Sequence, residues 1–543
     1  MRRALTVSAL FGLVAAVAVV PDVRADPVPI GGVVTEQDYR CGRGDLPETG
    51  IQGDVPLDDQ SSGRAERGYN CGVALVGHTT LGARGRTPDD NANMAWVDDC
   101  AYITGPGAVF GEPSPAYGDG VAVVDVSNAA RPRHVRTLRS PGAVAALETI
   151  HAAKAGKRAI LVVGQYGNQA GGNKPMDVYD VSDCANPRLL ETFIWPENIH
   201  NLTITGNGRY VFATQPLQVV DIGPLFDRNP RTGTRYLGNL EEATPGPPFA
   251  VGPTADLDDP LPEELRNATR SFYLSHEAWP SADGRKLYLG GQLPVFETLS
   301  ILDIGQWLKR DRNGNPLGPP KVISQRSGRG HSVRTATIGP RRFLLHSEES
   351  ILAPSWGCLP ETPNPFAGPA QPWLTDITNE RDPVLVSQFG LEINDPENCP
   401  AVIESNVHSA VHYHDVDDPQ RTTFAMVSMW NSGVRIFDVR NPARPTEIAY
   451  FNPGDVDPSD DVRLDHAWGH VRWVSEKGQI WFATASGGFW VVELEPQVRR
   501  RLGLRSMTVR HPNGRAGTSG VRADLRLLSP VSTTAWSCAV PVV

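Results

Sequence analysis

Histidine recurs at one position of a repeating pattern, and this is the clearest chemical signal in the 543-residue sequence. Each of these histidines stands at the start of a short apolar segment that is typical of a β-strand. Side chains in the same place of successive repeats converge when the repeats surround an axis. Several neutral imidazoles brought together in this way bind transition metals. The candidate metal ligands are His151, His200, His276, His331, His408, His466 and His470.

The chemistry of these residues favours copper as the cofactor, with zinc or iron as the other candidates. Nearby carboxylates can hold the second N–H of an imidazole or act as a base. Two further histidines, His412 and His414, share a strand face with His408 by the period of two. We predict that only His408 reaches the axis and that the other two pack between repeats. The carboxylates lie within four residues of a histidine and are Glu148, Glu197, Glu277 and Glu404.

Two classes of function are compatible with this pattern. The first is a copper-dependent oxidoreductase that acts on a small-molecule substrate. The second is a secreted or cell-surface scaffold that binds protein or glycan without catalysis, in which the histidines are structural or line a polar channel. No nucleophile elbow, phosphate loop or paired-carboxylate motif indicates a hydrolase, and the sequence assigns no catalytic residue.

The elements that position the histidines are most legible in Asn406–Pro445. This stretch predicts a histidine-led strand at Val407–Tyr413, a second strand at Thr423–Met429 and a third at Val434–Val439. The third strand ends at Asp438 and a turn of Asn and Pro, and an outer strand follows. Each run is rich in β-branched and aromatic residues and is bounded by Gly, Asn or Pro, so no helical period is present.

The third-strand signature occurs seven times and predicts an all-β fold, a seven-bladed β-propeller. No outer strand follows the last repeat in register. We therefore predict that the N-terminal segment Gly72–Gly77 supplies this strand and closes the ring. The acidic residue that ends each of the first six signatures is expected to cap a turn by accepting backbone N–H groups. These residues are Asp125, Asp180, Asp221, Asp303, Asp376 and Asp438.

The signature, an apolar strand followed by Asp-Val-Ser-Asn-Pro and a second Pro, resembles the LVIVD-repeat family of secreted bacterial propellers. The segments Gly120–Pro132, Met176–Pro187, Pro372–Pro383 and Val434–Pro445 carry the resemblance best. It implies a propeller and an extracytoplasmic address, and it implies no single activity. Selenium-binding/methanethiol oxidase proteins are also seven-bladed with histidine-bound copper. No stretch of this sequence matches them, so the analogy lies at the level of the fold.

Residues 1–25 have the organisation of an export signal: two arginines, an apolar run at Ala9–Val20 and a small-residue site that ends at Ala25. We expect cleavage after Ala25 and secretion. The remaining chain divides into an N-terminal extension (26–70), the propeller (71–497) and a C-terminal extension packed on it (498–543). The formal net charge of −10 argues against nucleic acid as a partner. No second apolar run reaches the length of a membrane span, and we expect a monomer.

The seven cysteines include no CxxC motif, so disulfides are expected in an oxidising compartment. The predicted pairs are Cys100–Cys184 and Cys358–Cys399. Cys41, Cys71 and Cys538 leave the third pair open, and Cys41–Cys71 is the pairing that we favour. Two inserts, Ser347–Gln371 and Leu391–Ser405, fall on the face of the disc that carries the histidines. This insert-bearing face is where we expect a substrate, protein or glycan to bind.

Overall fold

Short apolar runs separated by glycine and proline turns form antiparallel sheets in the described part of the chain. The computed structural model describes residues 33–81, 91–105, 120–166, 173–227, 233–244, 275–291, 298–327, 330–347, 371–454 and 464–504. Seven sheets are arranged as the blades of a β-propeller, so the predicted fold is confirmed. The first strands of consecutive blades contact one another and surround the axis of the disc.

The strands are numbered in chain order, and two of them, β1 (Tyr69–Cys71) and β2 (Val73–Thr79), precede the first blade. Blade one contains β3 (Met94–Val97), β4 (Cys100–Ile103), β5 (Val121–Asp125) and β6 (Arg133–Leu138), and blade two contains β7 (Ile150–Ala155), β8 (Arg158–Gly164), β9 (Pro175–Asp180) and β10 (Arg188–Ile194). Blade three contains β11 (Leu202–Ile204), β12 (Tyr210–Ala213), β13 (Gln218–Asp221) and β14 (Arg235–Asn239), and blade four contains β15 (Ser275–Pro280), β16 (Lys286–Gly291), β17 (Thr298–Asp303) and β18 (Lys321–Ser327). Blades five to seven contain β19 (Val333–Ile338), β20 (Arg341–Ser347), β21 (Pro372–Asp376), β22 (Val384–Gln388); β23 (His414–Val416), β24 (Phe424–Ser428), β25 (Val434–Asp438), β26 (Thr446–Asn452); and β27 (Arg472–Val474), β28 (Gln479–Thr484), β29 (Gly488–Leu494).

Blades six and seven both include a strand from the N-terminal part of the chain. The short strand β1 pairs with β26, which gives blade six five strands. The strand β2 pairs antiparallel with β29, from Val73 opposite Leu494 to Thr79 opposite Phe489. The N-terminal segment therefore lies against the last two blades of the chain.

The first strand of blade six is shorter than predicted. It spans His414–Val416, whereas the sequence predicts a strand over Val407–Tyr413. Residues 406–413 instead form the connection that enters the blade, and this shift decides which histidine reaches the axis. The helices are Leu57–Ser62, Pro141–Val144, Leu240–Ala243, Cys399–Ser405 and Pro496–Arg501, with 3₁₀ turns at Ala65–Arg67, Gly223–Phe226, Glu392–Asn394 and Pro396–Asn398.

The predicted turn caps are confirmed in six blades, because each aspartate accepts the backbone N–H two residues later. Asp125 accepts from Ser127 at 2.9 Å, and Asp376 accepts from Thr378 at 2.7 Å. The same bond is made by Asp180, Asp221, Asp303 and Asp438. An arginine also pairs with most of these carboxylates, as Arg133 does with Asp125 at 2.6 Å. These residues hold the outer turns, away from the axis.

The core lies between blades, and the middle strands are buried on both faces because a blade packs on each side. In β8, the segment Ile160–Val163 has no exposed surface. Such strands are unbroken apolar runs in the sequence. The outermost strand of blade one, Arg133–Leu138, is instead exposed or half-buried at every position except Leu138. This double burial explains why the third-strand signature is so apolar in every repeat.

A buried charge cluster ties the N-terminal extension to blade six. Arg435, which has no exposed surface, binds Glu447 of the same blade at 3.2 Å and Glu48 of the extension. Its guanidinium also lies 4.8 Å from the centre of the Tyr450 ring. Burial alone would lower the pKa of Arg435, but the carboxylates of Glu48 and Glu447 raise it above its usual range. The extension is thus fixed by a desolvated ion pair.

Two of the predicted disulfides are confirmed. Cys41–Cys71 links the extension to β1, and Cys100–Cys184 joins blades one and two. Cys399 is disulfide-bonded, and Cys358, its predicted partner, lies outside the described residues together with most of Ser347–Gln371. Residues 1–25, predicted to be an export signal, and residues 505–543 also lie outside the described residues. In the described part of the chain, none of the helices has the length and apolar character needed to cross a membrane.

The carboxyl group of Glu241, in the helix Leu240–Ala243, gives a pH-dependent contribution to stability. Burial, supported by Glu197 and Glu242, raises the pKa of Glu241 to about 8. Because the folded protein holds this proton more tightly than the unfolded chain, the contribution is present at low pH and is lost as pH rises towards 8. We expect the melting temperature of Glu241→Gln to rise relative to that of the parent as the pH increases from about 5 to about 9. If the melting temperatures of the two proteins change in parallel with pH over this range, the raised pKa does not belong to Glu241.

Candidate metal centre

Side chains just before the first strands of several blades meet at one end of the axis. Glu148 lies two residues before β7, His200 two before β11, His331 two before β19 and His412 two before β23. His276 is the second residue of β15, where the register shifts between Ser275 and Glu277. A bulge of this kind turns a side chain out of the regular alternation. The five residues, Glu148, His200, His276, His331 and His412, are called the axial cluster below.

Glu148 is the common member of two groups of potential metal ligands. In one group its carboxylate lies with His200 and His276, and in the other with His331 and His412. Within each group the ligand atoms all lie within 4.8 Å of one another. Nε2 of His276 lies 3.0 Å from Oε2 of Glu148, and Nε2 of His412 lies 3.8 Å from Oε1. The geometry permits ligation of a metal by imidazole and carboxylate groups.

The hydrogen bonds of two histidines determine which ring nitrogen faces the cluster. Nδ1 of His331 lies 3.3 Å from the backbone carbonyl of His412, and Nδ1 of His412 contacts the carbonyl of Trp468. A carbonyl oxygen only accepts, so in both rings Nδ1 carries the proton. In the neutral rings Nε2 then presents its lone pair to the cluster, which is the arrangement found in metal-binding histidines.

Hydroxyl groups of the preceding blade hold the backbone of the axial residues. Thr214 donates to the carbonyl of His276 at 2.8 Å, and Ser332 donates to the carbonyl of His412 at 3.0 Å. At these two places, one blade fixes where the next blade delivers its histidine. The rings of His276 and His331 stack with their centres 3.4 Å apart, so the cluster is also tightly packed.

Four members of the cluster are almost fully buried and His200 is half-buried, which has an electrostatic consequence. Glu148 is 4% exposed, His331 is 1% exposed, and His276 and His412 have no exposed surface. A buried carboxylate is costly unless hydrogen bonds or a positive charge compensate it. A divalent cation held among the imidazoles would provide that charge, so the donor set fits a metal.

Tyr413 and Asn201 orient the carboxylate of Glu148. The Tyr413 hydroxyl donates to Oε2 of Glu148 at 2.7 Å and accepts from the side-chain amide of Asn201 at 2.7 Å. With Oε2 engaged in this way, Oε1 is the oxygen directed towards His412. Partners of this kind fix the direction of a ligating carboxylate.

We expect Tyr413→Phe to weaken metal binding by roughly 10–100-fold, because the carboxylate loses its orienting donor. The measurement is a competition titration of the folded protein against a chelator of known affinity. Tyr288→Phe is the matched control, since its hydroxyl donates to the carboxylate of Glu380 at 3.2 Å outside the cluster. Equal affinities of the two variants would show that Tyr413 does not position Glu148.

A second layer beneath the cluster is organised by Arg334. Its guanidinium pairs with Glu277 at 2.6 Å, lies 2.9 Å from Nδ1 of His470 and stands 3.7 Å from the ring centre of Trp279. His470 therefore contacts a cation instead of joining the cluster. Burial together with the charge of Arg334 also lowers the pKa of His151 to about 3, so that ring is neutral. Nδ1 of His151 accepts the backbone N–H of Ile204 at 3.2 Å.

The remaining candidates, His408 and His466, both stack on Trp430. Their ring centres are 4.5 Å and 5.0 Å from that of Trp430, with nearly parallel planes. The prediction that His408 reaches the axis and His412 packs between blades is thus reversed, because the strand starts at His414. Of the seven predicted ligands, the axial cluster contains His200, His276 and His331. Its other members, Glu148 and His412, were seen in the sequence only as an accessory carboxylate and a packing residue.

Comparison with known proteins assigns neither a family nor an activity to this chain. Neither a protein-family model nor a curated protein matches this chain. Similar solved structures include the β-propeller domain of Cps50 (Swd1) from Myceliophteria thermophila, at 10% identity and a TM-score of 0.41, over 75% of this chain and 97% of that chain. A functionally unknown protein from Desulfotomaculum acetoxidans is 10% identical, with a TM-score of 0.38, over 67% of this chain and 87% of that chain. The Mitotic Checkpoint Complex structure contains a chain that is 11% identical, with a TM-score of 0.39, over 84% of this chain and 99% of that chain. At this level of similarity they carry no argument about the site.

Proposed function

We propose that the protein is an exported, metal-dependent oxidoreductase whose axial cluster holds one copper ion. The observation that carries the proposal is the convergence of four imidazoles on Glu148 in two groups that share this carboxylate. The cluster offers nitrogen and oxygen donors and no thiolate. Such a donor set suits copper(II), zinc or iron, and copper forms the most stable complexes of the divalent series.

The residues of the chain would divide the work between binding and orientation. His331 and His412 present Nε2, Glu148 presents Oε1, and Tyr413 holds the other carboxylate oxygen. Copper, when bound, would supply one-electron redox chemistry towards a small substrate that enters from the insert-bearing face. The fixed rings and the burial of the cluster exclude bulk water from the metal.

The two disulfides, Cys41–Cys71 and Cys100–Cys184, support an oxidising, extracytoplasmic location. We propose that residues 1–25 direct this export, that the mature protein is a monomer and that it belongs with the LVIVD-repeat propellers. Purification of the exported protein and sequencing of its N-terminus test the cleavage after Ala25.

The deciding experiment is element analysis of the protein purified from its exported form. We expect near-stoichiometric copper in the parent and none in His276→Ala or His331→Ala. His346→Ala is the matched control, because this buried histidine binds Thr375 at 2.8 Å within blade five, outside the axial cluster. Zinc or iron in place of copper would retain the site and change the metal. A parent that folds and binds no metal would overturn the proposal and favour an interaction scaffold.

A further inference from the structure

A continuous set of aromatic rings connects the axial cluster with the surface on the insert-bearing face. It consists of Trp468, Trp430, His408 and His466 and is called the aromatic stack here. The ring centre of Trp468 lies 5.4 Å from His412 and 5.5 Å from Trp430. Trp430 is also 5.5 Å from His412 and stacks on His408 and His466.

The stack is joined to the cluster by a hydrogen bond as well as by ring contacts. Nδ1 of His412 donates to the backbone carbonyl of Trp468, whose indole lies beside the same imidazole. A ligand ring at the cluster is therefore linked to Trp468 both through a bond and through space. The further steps of the aromatic stack, from Trp468 to Trp430 and from Trp430 to His408 and His466, are contacts between neighbouring rings.

Burial changes along the stack from inside to outside. His412 has no exposed surface, whereas Trp468, Trp430, His408 and His466 are each partly exposed. Large aromatic rings are normally buried for their apolar area, so four partly exposed rings beside one buried site require a reason. A substrate ring that stacked on Trp430 would compete with the imidazoles of His408 and His466, which already stack on this indole.

We propose that the aromatic stack is the electron-transfer route between the copper of the axial cluster and an external one-electron acceptor. The cluster would hold the copper, and in each transfer His412, Trp468 and Trp430 would carry one electron from the reduced metal to the acceptor, which would receive it at the surface formed by His408 and His466. A substrate that gives up two electrons requires two such transfers. The route rests on the proposed function, since it needs a redox-active metal in the cluster.

The test measures the rate at which the reduced protein is reoxidised. Copper-loaded protein is reduced without oxygen and mixed in a stopped-flow instrument with tris(bipyridine)cobalt(III), a one-electron acceptor that does not bind as a ligand. The acceptor is cationic, which suits a chain of net charge −10. We expect Trp468→Leu and Trp430→Leu to slow reoxidation several-fold and Trp430→Phe to slow it less, because a ring is retained.

The matched control is Trp373→Leu, which removes an indole that stacks on His346 with ring centres 6.3 Å apart, in blade five. Copper content and the electron paramagnetic resonance spectrum must be the same in all variants, so that only the route differs. Equal rates in copper-loaded Trp430→Leu and Trp373→Leu would overturn the route and leave the metal site in place. A parent without copper would overturn the proposed function and the route together.

Discussion

We expect Glu148→Gln to abolish stoichiometric binding of the proposed copper ion while the protein stays folded. The substitution keeps the shape of the side chain and removes the only carboxylate that both groups of ligands share. The loss should exceed the roughly 10–100-fold that removal of an orienting partner causes. Element analysis after dialysis against a weak chelator measures it directly.

Melting curves give an independent measurement of the same substitution. A metal that binds only the folded state stabilises it by about 2.7 kcal/mol at 100 times its Kd. We therefore expect added copper to raise the melting temperature of the parent and to leave that of Glu148→Gln unchanged. Glu197→Gln is the control, because the Glu197 side chain is exposed and lies before blade three, outside the axial cluster. Full copper occupancy in Glu148→Gln would refute the central role of this residue.

The second large effect is expected at Arg435, far from the axial cluster. Arg435→Met keeps most of the side-chain volume and leaves the carboxylates of Glu48 and Glu447 buried without their cation. Breaking a buried pair in this way destabilises a protein by about 3–5 kcal/mol. Urea unfolding followed by tryptophan fluorescence measures the free energy of unfolding.

Arg440→Met tests whether the loss of any positive charge from this blade has the same effect. Arg440 lies in the turn that follows β25. Arg440 pairs with Asp438 at 2.6 Å, but its side chain is 44% exposed. Exposed pairs contribute about 0–1 kcal/mol, so this variant should unfold almost as the parent does. Similar losses for Arg435→Met and Arg440→Met would mean that the extension is not held by its buried ion pair.

The fold could be read from the sequence because its cause is local and repeated. A third strand buried on both faces must be apolar along its length, and the turn after it needs an acceptor for a backbone N–H. Asp125 and Asp376 satisfy the same requirement 251 residues apart, which makes the repeat visible. The pair Cys100–Cys184 was accessible for a related reason, since blade topology decides which turns are neighbours.

The axial cluster was only partly predictable, because one or two residues at a strand start decide which side chain points inward. His331 was placed correctly in its blade, but in blade six the strand begins at His414, so His412 takes the position expected of His408. Glu148 is not a histidine, so the search for recurring histidines does not find it. Its equivalence to His200 and His331 appears only when the starts of the first strands are aligned. A search for the residue two positions before each first strand would have found the carboxylate.

The placement of β2 also has a consequence for how the protein is made. Val73–Thr79 pairs with Gly488–Leu494, so a strand synthesised early finds its partner only when nearly the whole propeller has been translated. Pairing over such a separation in sequence is slow, and an incomplete chain exposes open strand edges that promote aggregation. Biogenesis therefore depends on keeping the early strand available until the late one arrives. Chains shortened before Gly488 should accumulate as insoluble or degraded fragments even though six blades are intact.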